Sequence, residues 1–227
     1  MPDVTACAHL VYFHGFGSGP GSAKAQLLQT QFADHWHSSI VPDLEGGDFY
    51  NLTMPAIFAR ARAALAKIPD DGAPILVAGS SLGGYTAATV LAEDQPQRVA
   101  GALLLAPAFG FTERWRTLLG DDGVNEWHSK GERDFYHHAA ERELPLASGF
   151  LASCEVLPPL TAPTHCPTIV VHGRQDESVD IAWSRRWAEQ AAHLELIELD
   201  SDHSLTDPLS EATILAAAKR LLDAIAG

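Results

Sequence analysis

The stretch Pro74 to Tyr85, Pro-Ile-Leu-Val-Ala-Gly-Ser-Ser-Leu-Gly-Gly-Tyr, constrains this chain more than any other. An apolar run stops at Gly79, two serines and two glycines follow, and an alanine-rich segment then begins. The run predicts a buried strand, and Tyr85 onward predicts a helix with small residues on its packing face. Between them stands Gly79-x-Ser81-x-Gly83, the spacing of a nucleophile elbow. A strand that reverses into a helix within a few residues strains the backbone of the central residue. It also draws together the positions two before and two after it, and both are glycine here. The five-residue pattern alone also describes a glycine-rich turn with an incidental serine. The other loops must decide its meaning.

Taken in order, the chain alternates apolar runs with helical patterns. His9–His14 predicts a strand that runs into a glycine-rich turn, Gly15 to Gly21, and Ser22 is placed to cap a helix from Ala23 to about Phe32. Ser39–Pro42 predicts a second strand, and a helix follows from about Met54 to Ile68 with Pro55 in its first turn. After the elbow, Val99–Ala106 and Thr168–His172 predict further buried strands, and Leu194–Leu199 a last one. A helix is expected over Ile181–Ala192, and Ser210 is placed to cap a terminal helix. Strands alternating with helices at this length indicate βαβ units and a parallel sheet. Continuously apolar strands fit a sheet covered on both faces. The expected architecture is α/β, one domain over residues 1–227, with helices on both sides of a mostly parallel sheet.

The pattern breaks from Phe109 to about Leu157, where aromatic residues, histidines and charges gather without strand periodicity. Phe109, Phe111, Trp115, Leu118 and Leu119 suggest one amphipathic helix, and Phe135–Leu144 a second. Residues 108–159 therefore read as a small helical cap inserted in the domain, with a proline-rich exit at Pro158–Pro163.

Composition narrows the partners. A formal charge of -14 opposes nucleic acid and anionic membrane surfaces, both of which need a basic face. No stretch approaches the ~18 apolar residues of a membrane span, and the N-terminus lacks a secretory signal pattern. Cys7, Cys154 and Cys166 are too few and too scattered for a disulfide framework or zinc site, so a reducing cytoplasm is expected. The close histidine pairs, His35-x-His37 and His137-His138, lack a second ligand motif and read as exposed residues. The turn after the first strand has neither a P-loop Gly-Lys pair nor the three-glycine dinucleotide fingerprint. No cofactor and no metal are expected, and the sequence fixes no oligomeric state.

Serine is a poor nucleophile at neutral pH unless a base lies within hydrogen-bond reach and a third group orients that base. In an open parallel sheet such groups sit at the carboxyl ends of strands. Ser81 follows the central strand, Asp176 lies beyond the Thr168–His172 strand, and His203 beyond Leu199. Their chain order, serine, acid, histidine, is the one expected with an elbow serine. Asp180 reads as a helix-start residue, Asp202 as a loop carboxylate, His172 as a structural histidine, and Ser80 as pointing away. Acyl transfer also needs donors aimed at the developing oxyanion. The N–H of Leu82 at the helix start supplies one, and the N–H of Phe16 in the first glycine-rich turn the other. Phe109, Phe111 and Trp115 are candidate walls of a substrate pocket.

Tyr12-Phe13-His14-Gly15-Phe16 with Ser18 and Pro20, Gly79-Ser80-Ser81-Leu82-Gly83-Gly84-Tyr85, and Asp202-His203 together resemble the α/β-hydrolases, and among them the small bacterial YqiA-like esterases. The resemblance implies a shortened hydrolase core that begins at the third strand of the usual sheet, a small cap, and activity on carboxylic esters or thioesters. The expected function is a carboxylesterase-like serine hydrolase acting on a small-molecule ester or thioester through an acyl-enzyme intermediate. Thioesterase, peptidase and carbon–carbon bond hydrolase share the machinery and stay open, as does a catalytically silent ligand-binding member.

Overall fold

The apolar runs in the middle of the sequence form the middle of a sheet. The structure, a computed structural model, describes residues 7–227. Strands β1 (Ala8–Phe13), β2 (Trp36–Ile40), β3 (Ile75–Ser80), β4 (Val99–Leu105), β7 (Thr168–Gly173) and β8 (Leu194–Leu199) pair in the order β2-β1-β3-β4-β7-β8. Every neighbouring pair is parallel. In β1, β3, β4 and β7 successive side chains enter two separate cores, as a strand's alternation dictates. Phe13, Val77, Leu104 and Val170 pack with α2 (Met54–Ala66) and α3 (Leu82–Asp94) on one face. Tyr12, Leu76, Leu103 and Val171 pack with α1 (Ala23–Gln31) and α7 (Pro208–Ala226) on the other. Helices therefore cover both faces, and the central strands need no polar side. None of the helices among the described residues is long and apolar enough to cross a membrane.

The edges are where expectation and structure part. Strand β2 begins at Trp36 rather than Ser39, and its residues are half-buried or exposed. An edge strand has one paired neighbour and needs no apolar run, so the apolar signal marked only its end. The terminal helix is capped by Asp207, whose carboxylate accepts from the N–H groups of Leu209 and Ser210 at 3.0 Å each. Pro208 sits in its first turn, and Ser210, two residues on in the same turn, is buried. Ser22 stands at the start of α1 without a side-chain capping bond. Helix α6 spans Ile181–Ala188, four residues shorter than expected.

Between β4 and β7 the chain leaves the sheet and crosses the loops at the strands' carboxyl ends. Helix α4 (Phe111–Lys130) is broken at Gly120, which adopts φ 65° and ψ 169°. The expected second helix over Phe135–Leu144 is instead an antiparallel hairpin, β5 (Glu132–His137) and β6 (Arg142–Ala147). Its burial alternates, with Arg133, Phe135 and His137 more covered than their neighbours, which is a period of two and not of 3.6. Charged residues at the alternate positions hid that period in the sequence. Helix α5 (Gly149–Glu155) follows, and its Ser153 Oγ accepts from Met54 N–H at 3.0 Å.

Candidate active site

The elbow has the geometry its glycines imply. Ser81 has φ 51° and ψ -119°, a left-handed backbone that an ordinary side chain avoids. A methyl group on Gly79 would meet Gly83 O at 2.5 Å, and one on Gly83 would collide with Phe13 O. Neighbouring backbone holds the turn: Ser81 N–H donates to Leu105 O at 2.9 Å, and Ser81 O accepts from Ala108 N–H at 3.0 Å.

Three loops bring the expected trio together. His203 Nε2 lies 3.1 Å from Ser81 Oγ, and His203 Nδ1 lies 2.6 Å from Asp176 Oδ2. A carboxylate only accepts, so the ring proton sits on Nδ1 and leaves the Nε2 lone pair facing the serine hydroxyl. The Asp176 side chain is 1% exposed. Its Oδ1 accepts from the N–H groups of Ser178 at 2.7 Å and Val179 at 2.8 Å. Burial alone would raise the Asp176 pKa, but donors from His172 and His203 outweigh it and hold the carboxyl well below the usual range. This aspartate stays ionised, and it is fully hydrogen-bonded.

The alternatives fall elsewhere. Asp180 caps α6, accepting from Ala182 N–H at 2.9 Å. Asp202 accepts from Ser204 N–H at 2.8 Å within its own loop. His172, read from the sequence as structural, is fully buried, and its Nε2 lies 3.0 Å from the same Asp176 oxygen that His203 uses.

The first turn stands against the elbow, since a methyl group on Gly15 would lie 3.4 Å from Ser81 Cβ. Leu82 opens α3, so its N–H has no partner within the helix and lies at the positive end of the helix dipole. His14 braces the turn from below: Nδ1–H donates to Gly15 O at 2.9 Å, and Nε2 accepts from Leu44 N–H at 3.1 Å. Burial pushes the His14 pKa down, which suits a neutral ring. Gly17 N–H donates to Glu45 Oε1 at 3.0 Å, and Glu45 Oε2 faces His137 Nε2 at 2.7 Å. His137 is thus buried and paired, not exposed as its sequence context suggested. Nothing in the sequence links Glu45 to it, because the two lie 92 positions apart.

The aromatic candidates divide. Phe109 and Phe111 line a cavity of about 650 Å³ that also reaches Arg114, Asp176, Val179 and Trp183, while neither Ser81 nor His203 is among its lining residues. Trp115 turns away from it into a cluster with Phe111, Trp127, Phe135 and Phe150. Phe16 packs into that cluster, its ring 5.5 Å from Phe150 and 5.8 Å from Phe135.

A parallel sheet with helices on both faces and an elbow serine after a central strand is the arrangement of the α/β-hydrolase fold. The chain belongs to the family described as Uncharacterised protein family (UPF0227), whose profile matches residues 9–218. Among solved structures, the chain is similar to mouse alpha/beta hydrolase domain-containing protein 10, with a TM-score of 0.79, 21% identity, and coverage of 95% of this chain and 89% of that one. It is also similar to Est1E from Butyrivibrio proteoclasticus, at 0.76 and 20%, covering 100% and 90%. A thermophilic esterase from Thermogutta terrifontis aligns at 0.67 and 20%, covering 98% and 92%. These likenesses are of fold. No curated protein matches the chain.

Proposed function

We propose that this protein is a cofactor-independent serine hydrolase that cleaves carboxylic esters, thioesters included, through an acyl-enzyme intermediate. One observation carries the reading: Ser81, His203 and Asp176, from three separate loops, form a continuous hydrogen-bonded chain with the histidine tautomer that base catalysis needs. In this reading His203 Nε2 takes the Ser81 proton as Oγ attacks the carbonyl carbon. The N–H groups of Phe16 and Leu82 receive the oxyanion. His203 then returns the proton to the leaving alcohol or thiol and activates the water that releases the acid, while Asp176 stabilises the imidazolium.

Residues 108–159 act as the cap of the single domain, and the cavity edged by Phe109 and Phe111 takes part of the substrate. A cytoplasmic setting agrees with three free thiols, Cys7, Cys154 and Cys166.

The test is hydrolysis of a short-chain aryl ester together with labelling by a fluorophosphonate probe. Wild-type protein should turn over the ester and carry the adduct on Ser81. A folded Ser81→Ala protein that still hydrolyses the ester would overturn the assignment. Folded wild-type protein with neither turnover nor adduct would point instead to a ligand-binding member of the fold.

A further inference from the structure

Asp176 Oδ2 is shared by two histidines. His203 Nδ1 lies 2.6 Å from it and His172 Nε2 lies 3.0 Å. His172 Nε2 also lies 3.1 Å from Val179 O. Both of its neighbours accept, so that nitrogen carries a proton. On the opposite side of the ring, Nδ1 lies 2.8 Å from the hydroxyl of Ser184, which is itself fully buried on α6. The imidazole is therefore fixed on both sides. Its one N–H to a charged group reaches the oxygen on which the His203 tautomer depends.

We propose that His172 is a positioning residue for the Ser81–His203–Asp176 chain, holding the Asp176 carboxylate in place and drawing negative charge away from the oxygen that faces His203. The proposal rests on the reading of that chain as catalytic. A histidine that merely filled the core would have no need to share that atom. A second donor on Oδ2 weakens its pull on the His203 proton and so limits how strongly the imidazolium is stabilised. Removing the donor concentrates charge on Oδ2 and makes His203 more basic. The other charged groups facing this region come from different elements. The charges of Arg114 on α4 and of Asp202, which precedes His203, act on Asp176, and the charge of Asp202 acts on Lys24 of α1. None of them is altered by a change at position 172.

The experiment measures the pH profile of kcat/KM for a short-chain aryl ester in wild type, His172→Leu, His172→Gln and Ser184→Ala, with folding checked by circular dichroism. In His172→Leu the acid limb should move up by about 0.5 pH unit. Its kcat should fall about tenfold, the low end of what losing an outer partner of a working histidine costs in metal sites, with KM little changed. In His172→Gln, whose side-chain amide can reach Asp176 from the place of Nε2, the limb should return toward wild type. Ser184→Ala frees one side of the ring and should move the limb in the same direction by less. If His172→Leu fails to fold, Ser184→Ala decides. A limb that stays put in a folded variant, or moves equally in the leucine and glutamine proteins, overturns the role of His172 while leaving Ser81 as nucleophile. A wild-type protein without turnover or Ser81 labelling takes both readings down.

Discussion

Glu45 and His137 meet at 2.7 Å, and the other oxygen of Glu45 holds Gly17 N–H in the turn beside Ser81. The pair ties the β5–β6 hairpin to the turn that carries Phe16, whose N–H the proposed mechanism assigns to the oxyanion. Glu45→Ala should lower kcat/KM for an aryl ester by about tenfold, less than the two to three orders lost when an oxyanion donor itself is removed. Burial raises the Glu45 pKa above its ordinary 4.5, with the His137 hydrogen bond opposing. The folded protein then binds this proton more tightly than the unfolded chain, so the contribution to stability falls as pH rises above about 4.5. The melting temperature of Glu45→Gln should lack that part of the decline, which thermal scans across a pH series will show.

Asp176→Asn keeps the shape of the acid and removes its charge. With its single oxygen an asparagine that keeps the Ser178 and Val179 N–H bonds turns an NH2 group toward His203 and cannot hold the Nδ1–H tautomer, so kcat should fall by roughly four orders with KM little changed. The folded pKa of Asp176 is depressed, so its stabilising contribution is complete above the ordinary aspartate value of about 3.9 and fades as pH falls through that range. The stability gap between wild type and Asp176→Asn should therefore narrow below about pH 4. Urea titrations at several pH values measure it.

The elbow glycines should be intolerant for steric reasons. Gly79→Ala and Gly83→Ala each drive a methyl group against backbone that cannot move aside, and each should cost about 3 kcal/mol or more. Gly21→Ala, where a methyl group meets nothing within 4 Å, should stay within about 0.5 kcal/mol of wild type by urea denaturation.

Two neighbouring aromatic residues of α4 should behave differently. If the cavity edged by Phe111 takes the acyl chain, as proposed, Phe111→Ala should raise kcat/KM for longer acyl esters relative to short ones. Trp115 is 4% exposed and packed among five other rings, so Trp115→Ala should show mainly as a loss of about 3–5 kcal/mol in stability. Equal chain-length profiles for wild type and Phe111→Ala would remove Phe111 from the pocket.

The sheet's interior and the Ser81, Asp176 and His203 loops were legible because they rest on short-range chemistry. Continuous apolar runs end in turns whose glycines and polar residues have few other uses. What escaped notice depends on partners distant in sequence. Trp36, His37 and Ser38 form an edge strand only because β1 lies beside them. The hairpin from Glu132 to Ala147 is set by pairing across its turn, and its charged outer face blurred the alternation. The Glu45–His137 pair has no local signature at all. His172 shows how far residue type alone goes: a structural histidine at a strand end could be read, but its bond to Asp176 required the turn's shape.

Phe16 belongs to two parts of the molecule at once. Its backbone stands in the turn beside Ser81, while its ring is gripped by Phe49, Phe135, Phe150 and Trp115. Under the proposed function, repacking these rings to admit a different acyl group therefore shifts the N–H assigned to the oxyanion. On that reading, breadth of substrate and speed of turnover are coupled traits in a lineage or a directed-evolution campaign, and gains in one call for a compensating change at Phe16's neighbours.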